Sequence, residues 1–279
     1  MMAYFDDRGR AESFGQVAED YDRFRPRYPA SLIAAILEAD ESTAVGPPRR
    51  EALRILDVGS GTGILATRLA AAGADVLAVE PDDQMAAIAA AKGLPVEIST
   101  FEQWQAVGRT FDLVTFGQSF HWVDPAIALP RIREILASGG RLALTWNDVQ
   151  ALGEVGERLT AIADRFHPEG RAATLGHAAD SQADESSSGP DRFAPVDHPA
   201  LEDLHRHGFT ASVRHFDEAL HFTADAWLSM IFTHSAQLTM PEPSRTAMRS
   251  ELAAAIPESG VEARNHALLI LAEPLHTPR

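Results

Sequence analysis

Apolar and polar positions along the middle of the chain switch repeatedly between two periods. Leu53–Val58 is a short apolar run of strand length, and Ile64–Ala72 places its apolar residues at helical spacing before Gly73. Asp75–Val79 reads as a second strand, Asp82–Ala91 as a second helix closed by Gly93, and Pro95–Ile98 as a third strand. Phe111–Phe116 is a fourth. Pro125–Leu136 follows as a helix, with Asp124 as N-cap and Pro125 in the first helical position. The glycines of "ASGG" then turn the chain into a fifth strand, Arg141–Trp146.

The flanks are looser. Ser13–Tyr21 reads as a short helix, "RPRYP" as a stiff turn, and Pro29–Leu37 as a helix with Leu32, Ile33, Ile36 and Leu37 on one side. Ala44–Arg50 is a breaker-rich linker. Beyond Asn147, Leu152–Phe166 is helical, and residues 168–195 are rich in Gly, Ala, Ser and Asp, the pattern of a long mobile loop. Ala211–Phe222 alternates like a strand, Ala224–Phe232 and Ser244–Ile256 are helical, and His266–Pro274 is a buried final strand. Repeated strand–helix–strand units predict an α/β fold, a parallel sheet with helices on both faces. Residues 1–279 read as a single domain: an N-terminal helical cap (1–50), a ligand-binding core (51–150), and a C-terminal part (196–279) that completes the sheet and the substrate pocket.

Composition narrows the chemistry. The formal net charge is −16 and the pI about 5.0, which disfavours nucleic acid and anionic membranes as partners. There is no cysteine, so disulfides, thiolate metal sites and cysteine nucleophiles are excluded, as suits a cytoplasmic protein. "MMAYFDDRGRAESF" lacks the apolar core of a signal peptide, and no apolar run approaches a membrane span. Asn147–Asp148 is the sole suggestive pair of metal ligands and has no clear third partner, so no metal is predicted; His205–His207 read as an exposed helix end.

Gly59, Gly61 and Gly63 follow directly on the first strand and open a helix, a turn whose amides a ligand can approach closely. Glu80 ends the second strand, 21 residues after Gly59, where an acid accepts hydrogen bonds from ribose hydroxyls. The frame Gly61-Thr-Gly63-Ile-Leu-Ala66 partly permits a dinucleotide, which keeps an NAD(P)-dependent oxidoreductase in play. Asp57 counts against it. A carboxylate there sits badly beside a pyrophosphate and suits a cationic ligand such as S-adenosylmethionine, which has one ribose, no phosphate, an ammonium and a sulfonium.

"ILDVGSGTG" (Ile55–Gly63) with "AVEPDDQM" (Ala78–Met85) resembles the class I S-adenosylmethionine-dependent methyltransferases. "YDRFRPRYP" (Tyr21–Pro29) is similar to the entry segment of their small-molecule type 11 subgroup. "FDLVTFGQSFHWVDP" and "ALPRIREILASGGRLALTWN" are similar to its fourth strand, following loop, helix and fifth strand. The resemblance implies a Rossmann-like, seven-stranded, mostly parallel sheet whose last strand is antiparallel. It also implies S-adenosyl-L-methionine as cofactor and a small molecule as methyl acceptor.

Carried over residue by residue, the resemblance places Asp57, Gly59, Ser60, Gly61 and Gly63 around the methionine portion, Glu80 on the ribose, and Pro81 and Met85 beside the adenine. Thr100 stands where the family commonly has Asp; Phe101 offers its backbone amide, and Glu102 either touches the ligand region or caps the next helix. Gln118 lies where the reactive methyl points. His121 and Trp122 either shape the pocket, or His121 takes a proton from a substrate hydroxyl or amine. Tyr21, Arg27 and Tyr28 border the substrate pocket, with Arg25 or Arg27 open to pairing with the methionine carboxylate, an acidic substrate or water. Trp146 and Asn147 line its wall, and His234 lies in its roof. A non-catalytic S-adenosylmethionine-binding protein is the third reading. Acceptor identity and oligomeric state stay open.

Overall fold

A computed structural model describes residues 14–38, 52–167 and 198–275. The linker at 44–50 and the whole predicted mobile loop, 168–195, lie outside the described residues. A single turn at Gly15–Val17 leads into helix α1 (Ala18–Phe24), and α2 spans Ala30–Leu37. The core then alternates: β1 (Arg54–Val58), α3 (Ile64–Ala71), β2 (Asp75–Glu80), α4 (Asp83–Ala91), β3 (Val96–Ile98), β4 (Phe111–Gly117), α5 (Pro125–Ile135) and β5 (Leu136–Trp146). The C-terminal part adds β6 (Val149–Ala151), α6 (Gly153–Phe166), α7 (Pro199–Arg206), β7 (Phe209–Phe222), α8 (Ala224–Ile231), α9 (Ser235–Leu238), α10 (Glu242–Ala255) and β8 (Val261–Pro274).

These strands form one sheet in the order β3-β2-β1-β4-β5-β8, with β7 along the other edge of β8. The first five strands pair in parallel, and β8 runs antiparallel to β5 and β7. The sheet has eight strands rather than seven because β5 resumes as β6. After Asn147 and Asp148 the chain pairs again with β8, Val149 opposite Asn265. The expected turn at "ASGG" is instead a bulge inside β5: Leu136 already pairs with Phe111, and regular pairing resumes at Arg141 opposite Leu113.

Alternation along the strands feeds two cores. Leu56, Val58, Phe116, Leu142, Leu144, Leu268 and Ile270 face α5 and α7. Ile55, Leu113, Ala143 and Leu269 face the opposite way, under α2 and α3, where Leu32, Ile36, Leu65 and Leu69 close over them. A third cluster, around Trp227, Leu159, Met248 and Leu252, joins α6, α8 and α10 to β6 and the start of β8. No described helix is long and apolar enough to cross a membrane.

Candidate active site

The parallel strands all end on one side of the sheet, and their ends carry the polar groups. Gly59, Gly61 and Gly63 have φ of 61°, 56° and 80°, a region that L side chains resist. The amides of Gly59 and Ser60 donate to the Val79 carbonyl at 2.8 and 3.2 Å, which bends the turn toward β2. A Cβ on Gly59 would lie 2.6 Å from Ser119, and one on Gly63 would lie 2.6 Å from Leu94. Gly61 differs: nothing lies within 4 Å of its missing side chain. Neighbouring chain explains two of the glycines, and the third faces open space.

Two carboxyls flank that space. Asp57 is buried; its Oδ1 accepts from the Thr115 hydroxyl at 2.6 Å, and its Oδ2 is buried without a hydrogen-bond partner. Glu80 accepts from the Gly61 amide at 2.7 Å and from the Asp82 amide at 3.0 Å. Burial pushes each carboxyl up to about 7, against their hydrogen bonds. The Ser60 hydroxyl is also buried and unpartnered. Orphaned acceptors at Asp57 and Ser60, lone pairs left on Glu80 and the open face of Gly61 fit a ligand with ammonium and hydroxyl donors. They oppose a pyrophosphate, which would meet the Asp57 carboxyl head-on.

The N-terminal segment covers this end of the sheet. Asp22 accepts from the Thr62 hydroxyl at 2.9 Å and pairs with Lys92, whose Nζ also donates to the Thr62 carbonyl at 2.8 Å. α1 is thereby tied to the glycine turn. A Cβ on Gly15 would lie 2.4 Å from the Asp82 carboxylate, so the opening turn rests directly on the N-cap of α4. Phe14 meets Trp122 edge-on at 6.1 Å. Tyr28 is buried, its hydroxyl 3.0 Å from where Gly117 would carry a Cβ, at the end of β4.

Gln118 follows with φ 59°, a strained setting for a residue other than glycine. Its amide group donates to the Asn147 carbonyl at 2.8 Å, and its own N–H to the Thr145 carbonyl at 2.9 Å. The strain holds that side chain across the ends of β4 and β5. Asn147 in turn donates to the Pro26 carbonyl at 3.3 Å and accepts from Asn265 of β8 at 2.8 Å.

Most of the predicted residues meet here: Asp57, the glycine turn, Ser60, Glu80, Gln118, Tyr21 and Tyr28. Met85 is buried beside Asp82, with Pro81 exposed on the rim. His121 and Trp122 form a half-buried turn after β4, ring centroids 4.8 Å apart. Three expectations need correction, and the side chain of a fourth residue, Phe101, is placed. Arg27 is half-exposed and pairs with Asp22, whereas Arg25 is the arginine that turns inward. The Phe101 side chain belongs to the core against Trp104 and Phe116. No helix follows Glu102 for it to cap; residues 100–104 form only a turn, and the buried polar atom at the end of β3 is the unpartnered Thr100 hydroxyl. Trp146 projects with Leu144 onto the α5–α7 face, packed on His198 at 4.3 Å, away from His234. Sequence reasoning missed Thr115, Ser119 and Asn265. Their signal is positional: Thr115 pairs directly across from Asp57 in the β1–β4 register. Among the described residues, no group of three or more acidic or histidine side chains is arranged to hold a metal ion.

A β3-β2-β1-β4-β5 parallel sheet closed by an antiparallel β8–β7 pair, with an acid ending β2 and glycines after β1, is the class I methyltransferase architecture. Residues 56–144 match the family model described as a methyltransferase domain. The matched segment carries β1 through most of β5, the glycine turn and Glu80, and the fold around it is that of the class I methyltransferases. It is 38% identical over 158 residues to an uncharacterized methyltransferase of Mycobacterium tuberculosis, a match covering 53% of this chain and 60% of that one. It is 30% identical over 124 residues to a ubiquinone biosynthesis O-methyltransferase of Rhizobium etli, over 39% of this chain and 50% of the relative. The chain thus spans somewhat over half the length of the curated relatives it matches. Among solved structures, a provisionally named type II methyltransferase of Anaeromyxobacter dehalogenans shares the fold with a TM-score of 0.54 at 19% identity, over 91% of this chain and all of that one.

Proposed function

We propose that this protein transfers a methyl group from S-adenosylmethionine to a small-molecule acceptor at the carboxyl ends of β1, β4 and β5. The observation that carries this reading is the buried Asp57–Glu80 pair at the ends of β1 and β2, with Glu80 bonded to the amide of Gly61, whose missing side chain faces open space. When bound, S-adenosylmethionine supplies a methyl on a positively charged sulfur, already activated for displacement. Glu80 would hold the ribose hydroxyls, Asp57 the ammonium, and the Gly59–Gly63 turn the methionine portion. Met85 and Thr100 would border the adenine.

What the chain adds is alignment and dryness. Tyr28 and the α1 segment close over the ends of β1 and β4. Tyr28 stays protonated, because burial drives its phenol well above the ordinary range, so it positions and does not take a proton. Gln118, fixed by Asn147 and by its own strained backbone, sets the wall between donor and acceptor. His121 and Trp122 shape the opening beside it.

The test is calorimetry with S-adenosylhomocysteine, followed by transfer of labelled methyl groups to a panel of small-molecule acceptors. Binding of the thioether, no binding of reduced nicotinamide dinucleotide, and labelled product support the reading. Nicotinamide binding without thioether binding defeats it.

A further inference from the structure

We infer that the acceptor pocket is built to receive a carboxylate, with Arg25 as its anchor. This rests on the methyl-transfer reading and names the chemical class of its acceptor. Arg25 is half-buried, and its Nε is buried without a hydrogen-bond partner. Its Nη2 donates to the Thr233 carbonyl at 3.1 Å, and its guanidinium lies 4.8 Å from the centre of the Tyr21 ring. No carboxylate of the described residues pairs with it. Burying a cation without a counter-charge is costly, and an unused N–H beside it is a second cost. A bound anion relieves both, and the guanidinium edge matches a planar carboxylate.

The surroundings are polar and uncharged. His234 next to Thr233 is half-buried, its Nδ1 on the Ile231 carbonyl at 3.0 Å; desolvation, with the Arg25 charge adding to it, pushes the ring down to about 3, so it is neutral. Asn265, fully buried in β8, has an Oδ1 without a partner. Beyond β4, the described groups bonded to or next to Arg25 are neutral, and a cation among neutral polar groups favours a negatively charged acceptor.

Position separates this anchor from the donor's own carboxylate. Across the sheet the polar ends run Glu80 (β2), Asp57 (β1), Gln118 (after β4), Asn147 (after β5) and Asn265 (β8). Arg25 is tied to the far end of that row, through Pro26 to Asn147 and through Thr233 to the α8–α9 turn. With strands about 4.8 Å apart, Asn147 stands roughly 10 Å across the sheet from Asp57. The donor's anchors occupy β2 and β1; Arg25 serves what lies beyond β4.

The test titrates the full chain, saturated with S-adenosylhomocysteine, with matched carboxylate and amide pairs: benzoate and benzamide, cinnamate and cinnamamide, succinate and succinamide. Ligand-observed NMR reads the affinity. At least one carboxylate should bind about tenfold or more tighter than its amide, and Arg25→Met should abolish that preference, Arg25→Lys weaken it. S-adenosylhomocysteine affinity should stay within about twofold in both variants, with circular dichroism reporting the fold. The proposal is overturned if no carboxylate is preferred, or if a folded Arg25→Lys keeps the full preference. It is also overturned if Arg25→Met weakens S-adenosylhomocysteine but not 5′-methylthioadenosine, which lacks the amino-acid group. If wild type binds no S-adenosylhomocysteine, the methyl-transfer reading fails, while the carboxylate titration still scores the anchor.

Discussion

Asp57 and Glu80 end neighbouring strands, and burial holds both carboxyls near 7 instead of near 4. The sign follows from linkage. Each group binds its proton more tightly in the fold than in the unfolded chain, so its contribution to stability is complete below about pH 4 and is lost as pH rises through 7. A cationic ligand with hydroxyl donors prefers the ionised forms. The unliganded protein should therefore lose stability between about pH 4 and pH 7 and level off above, and Asp57→Asn should flatten that loss. S-adenosylhomocysteine should bind more tightly over the same range, by up to about tenfold per pH unit for each group, with proton release seen by calorimetry in buffers of different ionisation enthalpy. A pH-independent affinity would contradict the assignment of Asp57 to the ligand.

Glu80 admits a sharper substitution. Its two oxygens face two backbone N–H groups, so Glu80→Gln sets an amide donor against one of them and removes an acceptor for the ribose. S-adenosylhomocysteine affinity should fall by roughly tenfold to a hundredfold, about 1.5–3 kcal/mol. His121 is read as pocket wall, so His121→Asn should cost less than about tenfold in kcat and leave the pH profile of kcat unchanged. A loss of about a hundredfold or more, with a vanished acid limb, would make it the base.

At the scale of elements, the latch between α1 and the glycine turn has a single hub. Burial works against the Asp22 charge, but hydrogen bonds from Lys92 and Thr62 outweigh it and hold the carboxyl below its ordinary range. Asp22→Ala should shift fold stability by only about 0.5–1 kcal/mol, because the carboxylate is partly exposed. The release rate of S-adenosylhomocysteine should rise several-fold, as expected of a cover that opens more often; stopped-flow fluorescence reads it, and an unchanged rate would show that α1 does not gate the site.

The sequence made the repeating core legible because each strand there is bounded by glycine, proline or an acid. The strand-end placement of Asp57, the glycine turn and Glu80 was legible for the same reason: motif and strand end coincide there. The remainder depends on partners distant in the chain. Nothing local distinguishes Arg25 from Arg27 in "RPRYP"; Thr233, more than 200 residues away, draws the first inward, and Asp22 holds the second at the surface. The bulge in β5 hides behind "ASGG", which has the composition of a turn, and β6 is too short to show a period. Of the two readings of Glu102, the helix cap fails because residues 100–104 form a turn that no helix follows.

At the scale of the molecule, β8 is the hinge of the architecture. It pairs with β5 and β6 on one side and with β7 along all of its length on the other, and both main cores bury residues from it. Leu269 is fully buried between α2 and the sheet. Leu269→Ala should therefore cost about 2–5 kcal/mol, measured by urea denaturation, against under about 1 kcal/mol for a solvent-facing change such as Glu262→Ala on the same strand. Equal costs would mean that β8 is not part of the cooperative core.

Because β8 is the last described strand to leave the ribosome yet lies inside the sheet, the nascent chain spends time in an exposed state. Roughly a hundred residues separate the end of β5 from the start of β8, on the order of 5–20 s of synthesis. Throughout that interval β5 presents a bare row of amides and carbonyls beside apolar Leu142 and Leu144. That seam stays open to strand pairing until the closing strand arrives.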